Sequence, residues 1–364
     1  MGGGARQLGD IMVKAMDDAT FRRMKAQTDR FYWYGVPTFF RCPWNEDPRH
    51  ADIGLVGVPH SSGNGSTERD QHLGPRAIRN VSGWYRRAHV KYGFNPWESC
   101  RINDLGDVPL PHAMNNELCV EHIESYYKRL DEAGVRPVSV GGDHSITGPI
   151  VSAIAGKGAR LTGGRKAALV HFDAHTDAYD HMPHWLGAIR SAAHWAAHIV
   201  TDKHIDAARS VQIGLRGNTF SLDWRNSSER LGYRPIMAEE FFKLGIKRTV
   251  DIVRERVGDA PVYITFDLDV LDPTVAPAVS NMEPGYPGLS SGDAIGILQG
   301  LRGLNIIGAD IVCLMPTKDN PNNITSMTAM VLMFEMIGLV ADRLAQDKAG
   351  KGGARRAKVR VRRR

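Results

Sequence analysis

The chain has 364 residues, 42% of them hydrophobic and 24% charged, in the ordinary range for a globular protein. Residues 351–364 hold eight Lys or Arg and no acid, so the net charge of +6 becomes −2 without them, and the body of the chain gives no reason to expect a nucleic-acid partner. No run of about 18 apolar residues suggests a membrane span, no apolar core follows Met1 to suggest a signal peptide, and Cys42, Cys100, Cys119 and Cys313 show no paired spacing, which suits a reducing, cytoplasmic setting.

Residues 1–50 read as a helical and aromatic N-terminal arm. Its Phe31-Tyr32-Trp33-Tyr34 segment is too apolar to stay in water and is expected to meet another subunit. Short β-branched runs follow at Ile53–Pro59, Pro137–Gly142, Ala167–Phe172, Val211–Gly214, Val262–Phe266 and Ile306–Leu314, each ending near Gly, Pro or Asp. They read as buried strands. Segments at helical spacing, such as Glu117–Ala133 and Arg248–Val257, lie between them. The alternation predicts one α/β domain over 51–345, a central, mainly parallel sheet flanked by helices in three layers. Residues 346–364 are expected to form a disordered basic tail.

Three of the predicted strands end directly in groups that can hold a metal. They are Asp143-His144, Asp173-Ala174-His175-Thr176-Asp177 and Asp267-Leu268-Asp269. Alternate side chains of an extended segment share a face, so Asp173, His175 and Asp177 can point together, as can Asp267 and Asp269. In open parallel sheets the carboxyl ends of the strands are where ligands bind. So many carboxylates cannot be buried together uncompensated. Two divalent cations would neutralise them, and an oxygen-rich set with a minority of imidazoles suits Mn²⁺, or Ni²⁺, Co²⁺ or Zn²⁺. Such a pair lowers the pKa of a bridging water and orients it for attack.

The motifs Gly141-Gly142-Asp143-His144-Ser145, Asp173–Asp177 and Phe266-Asp267-Leu268-Asp269-Val270-Leu271-Asp272-Pro273 resemble the three metal motifs of the arginase/agmatinase (ureohydrolase) family. Gly35–Phe39, Gly57–Pro59 and Leu73–Arg79 resemble its agmatinase-like branch, and Gln212–Gly217 resembles a later family strand. The resemblance implies the arginase-like three-layer fold and release of urea from a guanidino group. It also implies one ion on His144, Asp173, Asp177 and Asp267, and a second on Asp173, His175, Asp267 and Asp269. Asp177 is thereby counted among the catalytic groups, and His194 matches the family's proton-shuttling histidine, although the glycine that follows it in the family is Trp195 here. Homotrimers or hexamers are implied; the alternative is a hetero-oligomer with a paralogous partner subunit, in which this chain is the non-catalytic subunit.

Two stretches depart from the family pattern. The strand motif Asp-Val-Val-Glu, whose Glu touches a cationic guanidinium, reads Asp310-Ile311-Val312-Cys313. The Gly-Thr-Gly-Thr-Pro loop reads Ala278-Val279-Ser280-Asn281-Met282, followed by Glu283. Cys313, Asn281 and Glu283 are therefore the expected substrate-facing positions. The departures point to an atypical guanidino substrate such as guanidine, an N-alkylguanidine or metformin. An ordinary agmatinase or guanidinobutyrase is the alternative, in which another acid such as Glu283 replaces the missing Glu.

Overall fold

Eight strands, all parallel, form one sheet in the order β2-β1-β3-β8-β7-β4-β5-β6. They span Ile53–Val58 (β1), Ile102–Asp107 (β2), Arg136–Gly141 (β3), Ala168–Phe172 (β4), Val211–Leu215 (β5), Arg234–Met237 (β6), Pro261–Asp267 (β7) and Asn305–Val312 (β8). This computed structural model describes residues 33–64, 69–83, 85–179, 184–219 and 224–361, with 17–20, 22 and 24, and leaves aside the side chains of 224–226 and 349–361. Most of the N-terminal arm and residues 362–364 thus lie outside the described residues.

Each central strand is buried along its whole length because both faces are covered. Period-two alternation divides the side chains between two cores. Leu55, Val138, Val140, Val170, Val262, Ile264 and Phe266 join one core. Val56, Leu169, Tyr263 and Ile307 join the other. The first core is closed by helices α1 (Gly74–Ser82), α6 (Ala238–Val257), α7 (Ser291–Gly300) and α8 (Ile324–Val361). The second is closed by α2 (Asn116–Ala133), α3 (Thr147–Ile154) and α4 (Trp195–Thr201). A further helix, α5 (Trp224–Leu231), precedes β6. The result is the expected three-layer arginase-like architecture.

Two strands escaped the sequence reading, and both lie at the sheet edges. β2 reads Ile-Asn-Asp-Leu-Gly-Asp, polar because Asp104 is buried against Arg79 of α1, with Nε–Oδ2 at 2.8 Å. β6 has four residues and contains Pro235, which an edge strand tolerates because it need not donate on both sides. Part of α8, Ile324–Lys348, is long and apolar enough to cross a membrane, but 83% of its most apolar window is buried inside the protein, as a core helix requires. The backbone of α8 also runs through the expected boundary at 345/346.

The central four strands, β3, β8, β7 and β4, are neighbours. Their carboxyl ends therefore gather the segments that begin with Asp143, Cys313, Asp267 and Asp173.

Candidate metal centre

The same local device shapes all three motifs. An Asp at the strand end accepts the backbone N–H two residues on: Ser145 to Asp143 at 3.0 Å, His175 to Asp173 at 2.6 Å and Asp269 to Asp267 at 2.9 Å. This turn bends the chain across the sheet edge and directs the next polar side chains inward. Asp143 is consumed by structure, since its second oxygen accepts the N–H groups of Gly63 and Asn64 at 2.8 and 2.9 Å. Gly142 before it lies so close to the main chain of His60 that a Cβ would come within 2.0 Å of that carbonyl oxygen. A side chain there would push the motif off the sheet edge.

His144 is the hub of one cluster. Its Nδ1 lies 3.0 Å from Asp173 Oδ2, 2.9 Å from Asp177 Oδ2 and 3.2 Å from Asp267 Oδ2. Although surrounded by three carboxylates, this buried nitrogen makes no well-formed hydrogen bond. Its other nitrogen, Nε2, sits 2.9 Å from Thr265 Oγ1. The Thr265 hydroxyl donates to Asp310 Oδ1 at 2.6 Å, so it can only accept from His144. Nε2 therefore carries the proton, and the Nδ1 lone pair is aimed at the point the carboxylates share, as a cation site requires. Asp310 is fully buried and further held by the hydroxyls of Tyr263 and Thr147 at 2.8 and 2.9 Å. Burial pushes its carboxyl above the ordinary range despite those donors.

A second cluster adjoins the first. His175 Nδ1 lies 3.0 Å from Asp269 Oδ2 and 3.4 Å from Asp173 Oδ1. Asp173 thus offers one oxygen to each cluster, the geometry of a bridging carboxylate. Asp269 also accepts the Ala174 N–H at 3.1 Å.

The electrostatics match a site built around positive charge. Burial, then Asp267 and Asp173, push Asp269 well above the ordinary carboxylate range. Burial and Asp173 raise Asp267. Burial also works against ionised Asp173, but the neighbouring His144, His171 and His175 outweigh it and hold Asp173 low. Burial disfavours protonated His144, yet its three carboxylate neighbours win and raise it strongly. These carboxylates and imidazoles compete for protons that divalent cations would replace. The donors fit two such ions.

His171, unassigned from the sequence, lies among these groups. Its Nε2 is 2.8 Å from Asp173 Oδ2, and the ligand atoms of His144, His171, Asp173 and Asp177 all lie within 4.8 Å of one another. It is nonetheless a supporting group. The Gln212 side-chain amide donates to the Thr176 carbonyl at 2.6 Å and to His171 Nδ1 at 3.0 Å, which leaves Nε2–H to donate to Asp173. The signal was present in the sequence, because His171 shares a strand face with Asp173.

The remaining expected residues take different places. Buried His194 stands just before α4, where its Nδ1 is 2.6 Å from Ser191 Oγ. Trp195 beside it is also buried, and its indole N–H donates to Asp177 Oδ2 at 2.9 Å. Cys313 is buried at the end of β8 in a left-handed conformation (φ 68°). Its thiol is pushed up by burial and by the nearby Asp267 and Asp269. Glu283 reaches the second cluster, its Oε1 3.3 Å from His175 Nε2. It lies over Gly217 (φ 87°), where a Cβ would come within 2.4 Å of the carboxylate. Asn281, two residues earlier, is exposed and left-handed (φ 54°).

Two adjoining clusters of carboxylate and imidazole at the carboxyl edge of a parallel, three-layer sheet define an α/β protein of the binuclear-metal class. Residues 51–338 match the arginase family. The chain is 37% identical over 318 residues to guanidinopropionase of Pseudomonas aeruginosa, covering 86% of this chain and 94% of that one. It is 36% identical to guanidinobutyrase of the same organism, over 83% of this chain and 92% of the relative. Its structure is similar to that of proclavaminate amidinohydrolase from Streptomyces clavuligerus, with a TM-score of 0.77 and 31% identity over 86% of this chain and 99% of that one. The chain belongs to the arginase family. It is a ureohydrolase, an enzyme that cleaves the guanidino group of a linear amidine with a binuclear metal site.

Proposed function

We propose that the chain releases urea from a small guanidino compound that lacks a long charged tail: guanidine, an N-alkylguanidine or a biguanide such as metformin. The observation that carries this reading is Cys313. The chain keeps the metal-binding motifs, yet a buried thiol stands beside Asp267 and Asp269 where a guanidinium-binding Glu would be expected. A thiol whose pKa is raised stays neutral and offers no anion to a cationic alkylguanidine.

His144, Asp173, Asp177 and Asp267 would hold one ion, and Asp173, His175, Asp267 and Asp269 the other, as Mn²⁺ or Ni²⁺. When bound, the ions supply the acidified water and charge stabilisation that attack on a delocalised guanidino carbon requires. The chain's own residues do the rest. Asp173, through its two oxygens, ties the clusters together, and Thr265 and Gln212 fix the tautomers of His144 and His171. His194 serves as proton donor to the leaving amine. Ser191 Oγ, 2.6 Å from its Nδ1, holds the ring in place. Self-assembly into trimers or hexamers is supported by exposed Trp33, Tyr34 and Val36, and a cytoplasmic location by four free, buried cysteines.

A second reading, a guanidino acid as substrate, is favoured by the likeness to guanidinopropionase and guanidinobutyrase. In it Glu283, already on His175, takes over the missing acid's work. Urea release from guanidine, metformin, agmatine and guanidinobutyrate, each under Mn²⁺ and Ni²⁺, separates the two. The proposal expects kcat/KM to favour guanidine or metformin. Preference for guanidinobutyrate or agmatine overturns it.

A further inference from the structure

The geometry points to Trp195 as a positioning residue of the metal centre, one that sets how tightly the His144 cluster holds its ion while leaving the His175 cluster alone. The inference rests on the metal centre proposed above. Three observations carry it.

The indole N–H donates to Asp177 Oδ2 at 2.9 Å, and this same oxygen lies 2.9 Å from His144 Nδ1. Asp177 is thus gripped through the atom it presents to the cluster. Its main chain is gripped as well, since the Ala196 N–H donates to the Asp177 carbonyl at 3.1 Å. Asp177 needs such support, because it adopts a left-handed conformation (φ 47°) that a residue with a Cβ rarely holds without help.

The indole also contacts both imidazoles of the first cluster region. Its ring centroid is 4.7 Å from that of His144 and 5.1 Å from that of His171, the latter edge-on. Trp195 is 1% exposed and cannot turn away into solvent. Its Cβ packs on α3, where a Cβ added at Gly148 would come within 3.2 Å of it. The indole is therefore fixed from behind and bonded in front.

The second cluster shares none of these contacts. Asp269 and His175 are held instead by the Ala174 N–H and by Glu283. A donor on the oxygen that a carboxylate presents to the cluster fixes where that oxygen sits, and loss of such a partner typically lowers affinity about 10–100-fold. That loss should fall on one ion of the two.

The test is calorimetric titration of the metal-free protein with Mn²⁺, comparing wild type with Trp195→Phe, alongside the melting temperature of each without metal. Wild type should bind two ions. Trp195→Phe should bind one ion as wild type does and the other about 10–100-fold more weakly, with little change in metal-free melting. Unchanged binding of both ions overturns the proposal. So does an equal weakening of both with a lowered melting temperature, which would mark a packing defect. Should Trp195→Phe fail to fold, replacing the indole of Trp195 by a benzothiophene keeps the ring shape and removes only the N–H, and the same outcomes decide. Failure of wild type to bind two ions would instead overturn the metal centre itself, and this inference with it.

Discussion

Thr265→Val is the sharpest probe of how the first ligand is oriented. The substitution keeps the branched shape and deletes the hydroxyl that accepts from His144 Nε2 at 2.9 Å and donates to Asp310 Oδ1 at 2.6 Å. His144 then has a buried N–H with no acceptor, while Asp310 keeps its bonds from Tyr263 and Thr147. Leaving a buried donor unsatisfied costs about 1–3 kcal/mol. At about 1.4 kcal/mol per tenfold, this is a factor of about 5 to 150. Because the N–H belongs to a ligand whose other nitrogen faces the cluster, the loss should appear mainly as weaker metal binding. Titrating metal-stripped protein with Mn²⁺ and Ni²⁺ reads it directly. Thr265→Ser retains the hydroxyl and should restore most of the affinity. The reasoning is refuted if Thr265→Val binds both ions as tightly as wild type, or if Thr265→Ser is as weak as the Val variant.

Three further outcomes follow from the same geometry. Asp173→Asn should lose both ions and nearly all turnover together, because Asp173 faces each cluster; two ions per chain with near-normal kcat, by metal analysis and urea assay, would contradict this. His194→Ala should keep both ions but lose about 10²–10⁴-fold in kcat, the usual contribution of a general acid, and a wild-type rate would remove His194 from that role. Cys313→Glu should raise kcat/KM for agmatine about 10- to 150-fold, the worth of a charge-assisted hydrogen bond of about 1.5–3 kcal/mol, less whatever repulsion from Asp267 and Asp269 takes back. Strong agmatine hydrolysis by the unmodified enzyme, indifferent to Cys313→Glu, would mean that the acid is supplied elsewhere.

What could be read in advance was whatever a local pattern records. The buried central strands are continuous apolar runs, and their ends are marked by Asp-rich turns. An i, i+2 spacing is enough to bring Asp173, His175 and Asp269 into one place once the strands are known to be parallel neighbours. The residues that escaped depend on long-range contacts. β2 looks polar until Arg79, on a helix, is seen to neutralise Asp104. Thr265 and Asp310 read as ordinary strand positions, and only the pairing of β7 with β8, which sets Thr265 against Asp310, shows them as a relay to His144. Trp195 stood out only as a mismatch to a motif. Its N–H on Asp177 is a consequence of how α4 packs against α3, which no spacing encodes.

The central claim is that guanidino cleavage in this chain requires two ions held by these clusters. Its most direct test is urea release from a guanidino panel as metal is returned to chelator-stripped protein, with the ions bound per chain counted at each step. The account predicts no urea without metal and activity that saturates as the second ion is taken up. Full activity at one ion per chain, or urea release indifferent to chelation, would contradict it.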